Sequence, residues 1–114
     1  VHVVHAAQHA GVSWAQLAAL PMYPHSDHFS ARERAALGIA SAGATLPVAD
    51  AAPAFEEARR HFSDDELIEI VSVVALFGWF NRWNSLMRTT MEPVPAEALH
   101  HVDWLQQLMK ETTP

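Results

Sequence analysis

Ile70-Val71-Ser72-Val73-Val74-Ala75-Leu76-Phe77-Gly78-Trp79-Phe80 runs directly into Asn81-Arg82-Trp83-Asn84. The first stretch carries no charge, and the whole segment ends in two amides, a guanidinium and two indoles. Between Glu69 and Arg82 the uncharged span covers about 18 Å of helix at 1.5 Å per residue, whereas a bilayer needs about 20 apolar residues. The span therefore reads as a core helix and not as a membrane crossing. Just ahead of it, Ser63 with Glu66 forms a capping-box signature, and Asp64, Asp65 and Glu66 put negative charge at the positive end of the helix dipole. A helix from Asp64 to about Met91 is predicted, ended by Glu92-Pro93-Val94-Pro95. Because it is apolar nearly all round from Ile70 to Phe80, it belongs at the centre of a bundle or in a subunit interface, as a buried structural element. So small a domain has few neighbours to cover every face. A homo-oligomer follows, with this helix partly buried by another subunit.

The same punctuation recurs outward from the rod. Gly11 reads as the C-terminal stop of an opening helix, Val1 to Ala10. Ser13 with Gln16 starts a short helix to Leu20, stopped by Pro21. Ser30 with Glu33 starts a helix from Ala31 to Ala44. Pro53 suits the first turn of a helix reaching about Arg60. A last helix runs from about Ala96 to Glu111, with a break near His100-His101. Five to six helices and no convincing strand predict an all-α helical bundle.

Composition agrees. The chain has 114 residues, half of them hydrophobic, with 20 alanines. That is enough for one domain with one core and favours helix over sheet. The net charge of −6 and seven scattered basic residues speak against nucleic acid, whose phosphates need a basic face. With no cysteine there is no disulfide and no thiolate metal site. No leader or membrane span is visible, so a soluble, cytoplasmic protein is the expectation. Val1 opens within an apolar helical pattern without a cap, and the chain is read as the C-terminal part of a longer protein.

Candidate chemistry is sparse. His2, His5 and His9 share one helical face, but three imidazoles along one helix make poor tetrahedral geometry, and no metal or cofactor is expected. No nucleophile elbow or phosphate-binding glycine loop is present. Asn81 and Asn84, three apart, share a face, while Arg82 points elsewhere, near Trp79 and Trp83. The cluster reads either as a polar pocket with a guanidinium for an anion or as a structural network in which Arg82 bonds helix-end carbonyls or Glu92.

The stretches AAQHAGVSWAQLAAL, HFSARERAALGIASAGATL, HFSDDELIEIV and ALFGWFNRWNSLM, in this order, resemble the alkylhydroperoxidase D-like, or carboxymuconolactone decarboxylase, family. Together they span most of residues 6 to 95. The resemblance implies an all-helical protein that assembles into trimers, hexamers or dimers, with Asn81, Arg82, Trp83 and Asn84 as part of its signature. Active peroxidase members carry a C-x-x-C-x-x-x-H motif, in which one cysteine attacks the peroxide and the other resolves it as a disulfide. The motif His stands eight residues before the helix-ending Gly, which here falls on Val3, one position from His2. The cysteines would lie before Val1. The expectation is a family member with peroxide reduction as its parent, antioxidant activity and no thiol-peroxidase activity in this cysteine-free chain. His2 and His5 are the candidate catalytic residues nearest the lost site. The alternatives are a lyase on a small anionic lactone, using His2, His5 and Arg82, or a non-catalytic oligomeric ligand-binding bundle. A small peroxide or organic acid is the expected ligand.

Overall fold

A serine three residues ahead of a glutamate or glutamine begins three of the helices. In the computed structural model, which describes residues 7–45, 47–48, 50–88 and 100–112, each of those serines accepts the backbone N–H of the third residue on. Each glutamine or glutamate carbonyl or carboxylate oxygen accepts the serine's own N–H in return, at 3.2 Å for Gln16, 3.0 Å for Glu33 and 3.0 Å for Glu66. Two otherwise orphaned donors are thus satisfied at each helix start. The helices are α1 Trp14–Ala19, α2 Ala31–Ala44, α3 Ala52–Ala58, α4 Asp64–Met87 and α5 Asp103–Thr112. Residues 7–9 and 100–101 are also helical, and no strand occurs among the described residues. The all-α expectation holds at that level.

The stops differ from the sequence reading in two places. The short α-helix does stop ahead of Pro21, within one residue of the expected Leu20, but 3-10 turns follow it, broken at Met22 (φ −111°, ψ 23°). The α-helix closes at Ala19, and Leu20–His25 continues as 3-10 turns, with Pro21 in the first turn, where its missing N–H is no loss. The long helix ends at Met87 and not near Met91. Arg88 takes a left-handed conformation, φ 51° and ψ 45°, and its N–H bonds back to the Asn84 carbonyl. That turn ends the helix before the prolines are reached. Gly11, at φ 107°, closes residues 7–9 as expected. Val12 N–H bonds to the Ala7 carbonyl at 3.0 Å and Gly11 N–H to the Gln8 carbonyl at 3.1 Å, the paired bonds of a Schellman stop. The expected helical residues before Ala7 and between Ala96 and Leu99 lie outside the described residues.

The sequence reads as one domain, and the contacts fall into two compact units, Val1–His28 with Met91–Pro114, and Phe29–Thr90. In the first unit Leu17, Val102 and Leu105 form the buried core, with Ala7, Val12, Trp14, Leu20 and Trp104 packed on it. Trp104 Nε1–H donates to the Leu17 carbonyl at 2.7 Å, so the indole satisfies its polar atom while burying its rings. His101 stacks on Trp14 with centroids 4.9 Å apart.

In the second unit α4 packs on α2, and α2 on α3. Ala35, Ile39, Ala58 and Leu67 are buried there, with Phe55, Phe62 and Ile70 against them. Arg32 lies over the Phe62 ring, 4.5 Å from its centroid, and pairs with Glu66, tying the start of α2 to the start of α4. Both side chains of that pair are largely exposed, so it contributes little to stability.

The rod that decided the fold is not buried in the single chain. Leu67 is the one buried residue of α4. Val71, Leu76, Phe77, Trp79, Phe80, Trp83, Leu86 and Met87 are exposed. Only one stripe of α4 meets α2, because a single neighbouring helix covers the face turned toward it, and the 24-residue helix also outruns its 14-residue partner. No described helix is long and apolar enough to cross a membrane.

Candidate functional site

Small residues on the second unit create an apolar groove that polar side chains border. At the C-terminal half of α2, Ala40, Gly43 and Ala44 present almost no side chain. Gly43 sits so near α4 that a Cβ built on it would lie 2.6 Å from Val74 Cγ1. This close approach sets the crossing of the two helices. Beyond it α4 continues with Gly78, where a Cβ would meet nothing within 4 Å. The gap between these positions is a groove of 330 Å³ lined by Ala40, Gly43, Ala44, Val74, Phe77, Gly78, Asn81 and Arg82. A second hollow of 260 Å³ continues around Val74, adding Val48, Val71 and Ala75 and sharing Gly43, Gly78 and Arg82.

Arg82 therefore borders both hollows. Its guanidinium has no hydrogen-bond or ion-pair partner among the described residues, and it makes no cation–π contact there with Trp79 or Trp83. The sequence reading placed it near those indoles. Trp79 and Trp83 stack on each other, centroids 5.5 Å apart at 22°. Of the two asparagines that share a face, Asn81 lines the groove and Asn84 does not. Asn81, Arg82, Trp83 and Asn84 are all exposed, so the segment is not a buried network in this chain. Glu92, the carboxylate considered for Arg82, lies outside the described residues.

The lining offers one cation, one amide and no acid. An arginine keeps its charge throughout the accessible pH range and presents planar donors suited to a carboxylate or phosphate. The groove can hold an organic anion, its apolar body over Val74 and Phe77, but the described residues of its lining supply no general acid, base or nucleophile.

His2 and His5, the candidate catalytic residues, lie outside the described residues. His9 is exposed beside the Gly11 turn. His28 N–H bonds to Ser26 Oγ at 3.2 Å, the turn expected around Asp27. His61 approaches Glu57 at 3.3 Å, one helical turn back. No group of three histidines and carboxylates suited to a metal occurs among the described residues. The sequence pointed to Asn81 and Arg82. It did not point to Gly43 and Gly78, whose role depends on the crossing of α2 and α4. No family model, curated protein or solved structure matches this chain.

Proposed function

We propose that this chain is an alkylhydroperoxidase D-like helical protein that forms homo-oligomers and, having no cysteine, performs no thiol-dependent peroxide reduction. The observation that carries the reading is the order of the four stretches from Ala6 to Pro95. It is supported by the local structure of their caps: the Schellman stop at Gly11 and the capping boxes at Ser13, Ser30 and Ser63. Thiol peroxidases need a thiolate nucleophile, and these 114 residues contain none. Incubation of the chain with an alkyl hydroperoxide and a dithiol should give no consumption above the uncatalysed rate. Sustained turnover would overturn the proposal.

A second reading concerns the groove, and Arg82, unpaired among the described residues and beside apolar walls, favours it. The chain binds a small organic acid there as a ligand-binding bundle. The lactone-lyase alternative has less support, because the described lining holds no proton-transfer group. Titration with a muconolactone-type acid, followed by calorimetry, should show binding that Arg82→Ala abolishes. Conversion of the lactone during the titration would favour the lyase instead.

A further inference from the structure

The outward side of α4 follows a regular order. Leu67, Ile70, Val74 and Gly78 are its least exposed apolar positions and mark the side toward α2. On the opposite side Ser72, Leu76, Trp79, Trp83 and Leu86 recur at alternating spacings of three and four, with Val73, Phe80 and Met87 beside them. This is a heptad seam, the pattern with which helices pack on other helices. Its members are exposed, Leu86 at 82% and Trp79 at 53%. An apolar strip along so much of a helix is more than a soluble surface ordinarily shows to water.

Charge decides what fits it. Asp64, Asp65 and Glu69 lie at the N-terminal end of the helix, and Arg82 and Arg88 at the C-terminal end. None of the five is in an ion pair among the described residues. A parallel second copy would set the acidic groups against themselves. An antiparallel copy would set them against Arg82 and Arg88 of that copy and would oppose the two helix dipoles.

We propose that a second copy of this chain covers the seam, with its α4 antiparallel and the two-fold axis near Leu76. The inference deepens the homo-oligomer part of the proposed function and does not depend on its chemistry. The contact is isologous, so every acid–arginine approach occurs twice. The seam supplies the apolar area and the end charges choose the direction.

The test uses the whole chain. Light scattering at micromolar concentration should give a dimer or an even multiple. Asp65→Lys with Glu69→Lys should weaken association about tenfold or more, and so should Arg82→Glu with Arg88→Glu, each judged from several weak exposed pairs. An equimolar mixture of the two double variants should restore association. All four positions are exposed, and circular dichroism should show unchanged helix content. A single Leu86→Cys spin label, unambiguous in a chain without cysteine, should report a distance of roughly 30 Å for the antiparallel pair and about 10 Å for a parallel one. A monomeric wild type would overturn both this inference and the homo-oligomer reading. A dimer with close labels, or variants that fail to complement each other, would overturn the antiparallel contact alone.

Discussion

Gly43 and Gly78 are the same residue on facing helices, and the same substitution should have opposite effects. Gly43→Ala places a methyl 2.6 Å from Val74 Cγ1. Overpacking of about 1–3 kcal/mol should outweigh the helix-propensity gain of about 1 kcal/mol, for a net loss. Gly78→Ala meets nothing within 4 Å and should stabilise by about 0.5–1 kcal/mol. Urea midpoints of the two variants check both signs. The caps carry a pH dependence. The Ser30 N–H, and then its hydroxyl, hold the Glu33 carboxyl below its ordinary 4.5. Ser63, first through its N–H and then its hydroxyl, with a lesser part from Arg32, does the same for Glu66. A carboxyl lowered in the folded state stabilises above its unfolded value and loses that contribution as pH falls. Melting temperature should therefore drop on acidification below about pH 4.5, and the drop should be shallower in Glu33→Gln, which keeps the acceptor but does not titrate. Ser30→Ala should cost about 1 kcal/mol at neutral pH.

At the scale of elements, propensity and caps were legible in the sequence, and exits were less so. The starts at Trp14, Ala31 and Asp64 follow from local hydrogen bonds within four residues, so the sequence is enough to place them. The end of α4 was missed because a left-handed arginine has no sequence signature. Glycine relieves that conformation, so Arg88→Gly should stabilise the exit by up to about 1 kcal/mol in thermal melts. Trp104→Phe should cost about 1 kcal/mol by leaving the Leu17 carbonyl without its side-chain donor. Leu105→Ala, at a fully buried position, should cost about 2–5 kcal/mol.

At the scale of the molecule, the apolar excess of α4 is the main unresolved energy. Half of the sequence is hydrophobic, yet the Ile70 to Phe80 rod meets α2 along one stripe. The proposed self-association would give that surface a partner, and Trp79 and Trp83 would report on it. Their indoles are exposed in the single chain, whereas Trp14 and Trp104 are half-buried. Emission should shift to the red on dilution through the dissociation range, and Trp79→Phe with Trp83→Phe should remove most of that shift. Arg82 belongs to this scale as well, since it stands both beside the groove and at the charged end of the seam.

The sequence by itself determined the all-α class, the three capping boxes, the glycine stop at Gly11 and the lack of a cysteine in these 114 residues, because each depends on residue type and near neighbours. It also marked Asn81 and Arg82 as unusual. Only the tertiary structure decided that they border a groove, that Gly43 and Gly78 form it, and that the apolar rod is exposed in the single chain. Those facts depend on where α2 crosses α4 and on the length by which α4 outruns it. Hydrophobic periodicity says that a face seeks cover, and the packed neighbours decide whether it finds any within one chain.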